Sequence, residues 1–103
     1  EDDDIDRMFN YPNPFKKDTY FTYELRGQNF PEEIKIKVYT IAGRLIRDFM
    51  IPQSTYKIGF NHYHWDGKDQ DGDTIANGLY FYKVIVKYKD RTKTFLEKLV
   101  KME

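Results

Sequence analysis

The stretch Trp65-Asp66-Gly67-Lys68-Asp69-Gln70-Asp71-Gly72-Asp73 leaves the backbone few options. An aromatic strand end meets a turn dense in Gly and Asp. Its glycines accept positive φ, and its Asp side chains bond to nearby backbone N–H groups. A second turn, Asn77-Gly78, then launches a long run in which Tyr80, Tyr82, Val84 and Val86 share one face and Lys83 and Lys87 the other. That is the period-2 pattern of a half-buried strand. No nucleophile, general base or phosphate loop is built into this strand–turn–strand grammar.

The rest of the chain follows the same rhythm. In Thr19–Leu25, Phe21, Tyr23 and Leu25 alternate with Tyr20, Thr22 and Glu24. Arg26–Glu33 carries Gly27, Asn29 and Pro31 and reads as a loop. Ile34, Ile36 and Val38 then alternate with Lys35, Lys37 and Tyr39, and Ile41-Ala42-Gly43-Arg44 turns into a partner strand, Leu45–Ile51, which Pro52 ends. Gln53–Gly59 has no clear assignment. Phe60–Trp65 sets Tyr63 and Trp65 against His62 and His64. After the turn Lys89–Thr92, a closing strand, Lys93–Lys101, is expected to be anchored by Phe95 and Leu99, with Leu96 and Val100. Pro12 and Pro14 hold Tyr11–Phe15 in an extended or turning lead-in, with Tyr11 and Phe15 expected to plug the end of the core. No segment sustains a helical period. The expected fold is all-β, an antiparallel immunoglobulin-like β-sandwich of about seven strands.

Length and charge narrow the class. At 103 residues the chain is the size of one domain. Its 17 basic and 17 acidic residues balance, which argues against a nucleic-acid binder with its usual basic excess. There is no cysteine, hence no disulfide and no thiolate metal site. No apolar run approaches the ~20 residues of a membrane-spanning helix. The acidic run Glu1–Asp6 reads as the tail of an interdomain connection, so residues 1–9 are expected to be linker and 10–103 the domain, a piece of a longer protein.

Asp66, Asp69, Asp71 and Asp73 are the candidate metal ligands, since clustered loop carboxylates can hold Ca²⁺. Their spacing departs from the EF-hand pattern, and the same carboxylates suit backbone capping of a turn, the reading we favour. His62 and His64 point the same way from one strand but lack further His or Cys partners for zinc, and an exposed cross-strand pair is the simpler reading. Ser54, the only serine, lies outside any nucleophile motif, and no catalytic set emerges. No cofactor is implied. Lys35, Lys37, Lys83 and Lys87 read as solvent-facing residues that blunt sheet edges, or alternatively as a docking surface for an acidic partner. Tyr39, Tyr56 and Tyr63 are more simply core or rim residues than an aromatic sugar-binding platform.

Tyr-Pro-Asn-Pro-Phe at 11–15, Ile41-Ala42-Gly43-Arg44, the Trp-Asp-Gly turn and Gly78-Leu79-Tyr80, taken in that order, resemble FlgD-like immunoglobulin-fold domains. They are similar above all to the C-terminal sorting domains of cargo exported by the type IX secretion system of Bacteroidetes, and the resemblance runs from Tyr11 to Met102. It implies a non-enzymatic domain recognised by outer-membrane type IX components, passing through the periplasm to the cell surface or the medium. It also implies that Leu99, Val100, Lys101 and Met102, in the family's terminal Lys-Leu-Val-like stretch, are the residues a partner reads, with the proline and Gly-Leu-Tyr motifs serving the fold. The long Trp-Asp-Gly turn is closer to the FlgD-like branch, which admits a secretion component such as the sortase as parent. The alternatives are a structural spacer or a carbohydrate-binding module.

Overall fold

In the computed structural model, residues 6–26 and 30–103 are described, with side chains from residue 8 onward. They form seven strands: β1 (Asp6–Tyr11), β2 (Thr19–Leu25), β3 (Glu33–Thr40), β4 (Leu45–Ile51), β5 (Gly59–Trp65), β6 (Gly78–Lys87) and β7 (Thr92–Lys101). Three pair in the order β1-β2-β5 and four in the order β4-β3-β6-β7, all antiparallel. The two sheets face each other as the expected immunoglobulin-like sandwich. The unassigned stretch after Pro52 contains a single 3₁₀ turn, Gln53–Thr55.

The period-2 pattern sorts the two faces. Ile34, Ile36 and Val38 of β3 and Tyr82, Val84 and Val86 of β6 are all buried, and they meet Phe21, Tyr23 and Leu25 of β2 across the sandwich. Trp65 and Tyr82 anchor the aromatic centre as expected. The Phe21 ring lies 6.0 Å from Trp65 and 4.9 Å from Tyr82. The partly buried hydroxyl of Tyr80 donates to the Ala76 carbonyl at 2.6 Å, a tyrosine-corner arrangement at the start of β6. Burial pushes the pKa of the Tyr56 hydroxyl up to about 12 and raises those of Tyr23 and Tyr82, because the charged phenolate is poorly solvated there.

Several expectations are corrected. β1 begins at Asp6, and Asp6 and Phe9 pair with β2 on either side of a break in register, so residues 6–9 belong to the sandwich, not to a connection. Residues 1–5 and the loop residues Gly27 and Asn29 lie outside the described residues. Phe15 plugs the core, but Tyr11 points outward and is 69% exposed. Leu96 is exposed as well, because β7 alternates and Leu99 holds the inward parity. Lys35, Lys37, Lys83 and Lys87 sit on β3 and β6, the two central strands of their sheet, and therefore blunt no edge.

Tyr82 carries a testable imperfection. Its hydroxyl is buried and has no hydrogen-bond partner among the described residues. A buried unsatisfied donor costs about 1–3 kcal/mol. Tyr82→Phe is therefore expected to leave stability unchanged or raise it by about 1 kcal/mol in urea unfolding. A loss larger than about 1 kcal/mol would show that the hydroxyl is satisfied in solution.

Candidate functional site

The residues that resemblance singled out, Leu99–Met102, are the last three of β7 and the residue after it. The strand's alternation sends Leu99 and Lys101 inward and leaves Val100 and Met102 nearer the surface. Leu99 joins the core. Lys101 is 2% exposed, which is unusual for a lysine. Its ammonium donates to the Lys16 carbonyl at 2.8 Å and to the Glu103 carboxylate at 2.9 Å, so the buried charge is paired and hydrogen-bonded. The same hydrogen bond, with the Lys101 charge and that of Lys17, holds the Glu103 carboxyl below its usual range.

The proline-containing lead-in clamps this strand end. Phe15 lies parallel beside it: the Phe15 N–H donates to the Val100 carbonyl, and the Met102 N–H donates to the Phe15 carbonyl, both at 2.9 Å. Asn13 extends the pairing with its side chain, accepting from the Val100 N–H at 2.9 Å and donating to the Lys98 carbonyl at 3.2 Å. Asn77, just before β6, grips Glu103 in the same way, accepting from its N–H at 3.0 Å and donating to its carbonyl at 3.3 Å. Thr19 fixes the lead-in by donating to the Pro12 carbonyl at 2.8 Å. β7 is an edge strand, but over Val100–Met102 its edge is occupied by the chain itself. Beside the clamp runs an open groove of about 460 Å³ lined by Pro12, Pro14, Lys16, Lys17, Asp18 and Glu103. Sequence reasoning assigned Tyr11–Phe15 to the fold and missed that these residues frame the strand end.

The aspartate turn has a different role. Asp69 Oδ1 accepts from the N–H groups of Asp71 and Asp73, each at 3.0 Å, and Asp66 Oδ1 accepts from the Lys68 N–H at 3.1 Å. Among the described residues, no three His, Asp or Glu side chains gather where a metal ion could sit. The turn is sewn to β4: the Gln70 N–H donates to the Ile46 carbonyl at 2.8 Å, the Asp48 N–H donates to Gln70 Oε1 at 3.1 Å, and the Arg47 guanidinium donates to the Lys68 carbonyl at 2.7 Å. Trp65 Nε1–H donates to that same carbonyl at 3.0 Å. The turn thereby ties the end of one sheet to the edge of the other.

The remaining candidates are dispersed. Tyr39 lies on the outer face of the four-stranded sheet, whereas Tyr63 faces inward and stacks on Phe49 at 5.2 Å, and the Tyr56 hydroxyl is spent on the Ile51 carbonyl. They form no common platform. His62 and His64 are exposed on the outer face of β5, and His64 meets Asp18 at 2.8 Å.

The fold and the clamped strand end define an immunoglobulin-like β-sandwich domain. More narrowly, the chain belongs to the FlgD Ig-like domain family, whose pattern matches residues 10–90. Among solved structures it is similar to dimeric latent PorU from Porphyromonas gingivalis, with 21% identity over 95% of this chain and 9% of that one, at a TM-score of 0.75. It is also similar to PorZ, an essential bacterial surface component of the type IX secretion system of the same organism, with 20% identity over 93% of this chain and 11% of that one, at a TM-score of 0.55. The chain thus spans about a tenth of the length of these solved chains. No curated relative matches it. No helix among the described residues is long and apolar enough to cross a membrane.

Proposed function

We propose that this domain works in type IX secretion as a folded, non-enzymatic recognition element. It serves either as the sorting domain of an exported protein or as the C-terminal domain of a secretion component such as the sortase. The observation that carries this reading is the backbone likeness to PorU over 95% of the chain at a TM-score of 0.75. PorZ, described as an essential type IX component, adds to it. On this reading the partners are outer-membrane type IX components, and the domain passes through the periplasm to the outer-membrane surface or the medium.

The geometry refines what a partner touches. Leu99 and Lys101 point into the domain, so a partner meets Val100, Met102 and Glu103 together with Pro12, Pro14 and Lys16 of the lead-in. The Val100 N–H and carbonyl and the Met102 N–H are already bonded within the domain, so a partner reads this strand end through its side chains. Met102 is 60% exposed and is therefore a cleaner probe than Lys101, whose replacement disturbs a buried charge.

The test fuses residues 1–103 to a periplasmic reporter in a type IX-competent host. The fusion is expected at the cell surface. Met102→Glu is expected to reduce export while the melting temperature of the purified domain stays at the wild-type value. A folded fusion that remains in the periplasm would reject the sorting-domain role and leave the domain of a secretion component or a structural spacer.

A further inference from the structure

The outer face of the four-stranded sheet carries a charge pattern that the export reading does not use. The register lays its side chains out in rows across β4, β3, β6 and β7. One row is Leu45, Tyr39, Phe81 and Lys98; the next is Asp48, Lys37, Lys83 and Leu96; the next is Met50, Lys35, Ile85 and Thr94; and Glu33, Lys87 and Thr92 follow. This face holds five lysines against two carboxylates in a chain whose formal net charge is zero.

Lys37 and Lys83 stand directly opposite each other on the two central strands. Like charges in that position destabilise a sheet. Asp48 stands opposite Lys37 on the β4 side and offsets part of this repulsion, while Lys83 faces Leu96 on its other side. Of the lysines here, Lys35 has a carboxylate within reach, Glu33 at 3.4 Å, and the Lys83 ammonium lies 5.6 Å from the centre of the Tyr39 ring. A repulsive pair at the centre of an exposed face is relieved when an anionic surface covers it.

The apolar residues around the lysines identify that surface. Ile41 and Leu96 are each 63% exposed, and with Tyr39, Phe81 and Lys83 they line an open groove of about 330 Å³. Met50 and Leu45 are exposed at the β4 side. Lysines set among exposed aliphatic side chains and a tyrosine match the interface of an anionic bilayer. There the ammonium groups reach lipid phosphates, and the aliphatic and aromatic groups enter the headgroup–acyl boundary. An acidic protein partner would need apolar pockets shaped to these particular side chains, whereas a bilayer interface accepts them in any arrangement.

We propose that the outer face of the β4-β3-β6-β7 sheet, centred on Lys37 and Lys83 with Ile41 and Leu96 beside them, docks the domain on the phosphate headgroups of an anionic lipid bilayer. The inference goes beyond the export reading and stands whether or not the domain carries cargo.

The experiment is co-sedimentation of the full 103-residue chain with vesicles of phosphatidylcholine alone or with about one-third phosphatidylglycerol. Binding is expected to the anionic vesicles and to fall as salt rises from about 0.05 to about 0.5 M. Lys37→Glu with Lys83→Glu is expected to weaken binding about tenfold or more. Lys57→Glu with Lys68→Glu, the same charge change at exposed loop lysines outside this face, is expected to change it far less. Leu96→Ser is expected to weaken binding by a salt-independent factor. Thermal melts of each variant establish that it is folded. Equal loss with the loop variants would overturn the proposal, leaving net charge as the cause. Release by inorganic phosphate at constant ionic strength would overturn it in favour of a free-phosphate site. Binding to polyglutamate with none to anionic vesicles would overturn it in favour of an acidic protein partner.

Discussion

Trp65→Ala is expected to remove about 3–5 kcal/mol of folding free energy, a large share of the roughly 5–15 kcal/mol typical of a small domain. The indole is 1% exposed and sits among Phe15, Phe21 and Phe49, with ring centres 5.8, 6.0 and 6.5 Å away. Its deletion leaves a cavity where the lead-in, β2 and β4 converge. It also removes the N–H that reaches the Lys68 carbonyl, so the aspartate turn loses one of its ties. Trp65→Phe keeps most of the apolar volume and drops that hydrogen bond, and is expected to cost less than the alanine variant. Urea unfolding of both separates cavity from hydrogen bond. An alanine variant within about 1 kcal/mol of wild type would show that the site collapses around the missing ring.

Where one face of a strand is buried and the other wet, the sequence carries the fold openly. Ile34, Ile36 and Val38 must turn inward together, and so must Tyr82, Val84 and Val86, because successive side chains point to opposite faces. The first strand hides because its pattern is inverted. Phe9 and Tyr11 point to solvent, while Asn10 points inward, where it donates to Thr19 Oγ1 at 3.3 Å and accepts from Asn13 Nδ2 at 3.2 Å. A buried asparagine satisfied by such partners leaves no hydrophobic trace.

Lys101 is a related case. Its parity with Leu99 predicts an inward side chain, but the charge suggests solvent. What settles the matter is the Lys16 carbonyl, 85 residues away in the chain. The aspartate turn was legible as a turn, because its Asp and Gly residues act locally. Its attachment to β4 through Arg47 and Gln70 depends on how the two sheets meet, which no local pattern encodes. The clamp around Val100 and Met102 was illegible for the same reason: it joins the two ends of the described chain through backbone groups that every residue carries.

Gly67→Ala is expected to cost about 3 kcal/mol or more, well above the roughly 1–2 kcal/mol expected for Gly72→Ala in the same turn. Both glycines hold positive φ, 73° and 89° respectively, so the backbone penalty is similar. Their surroundings differ. A Cβ on Gly72 meets nothing within 4 Å, whereas one on Gly67 would lie 2.5 Å from the Lys17 carbonyl oxygen and 3.3 Å from the Phe15 ring. That contact is with backbone, so either the turn or the lead-in must shift. The lead-in is the piece that clamps β7: the Phe15 backbone brackets Val100 and Met102, and the Lys16 carbonyl holds the Lys101 ammonium. Gly67→Ala is therefore expected to speed hydrogen exchange at the Val100 and Met102 amides as well as to lower the unfolding midpoint, while Gly72→Ala leaves those two amides protected. Equal destabilisation by the two substitutions, with both amides unchanged, would show that the lead-in does not rest on Gly67 and that the strand end is held without it.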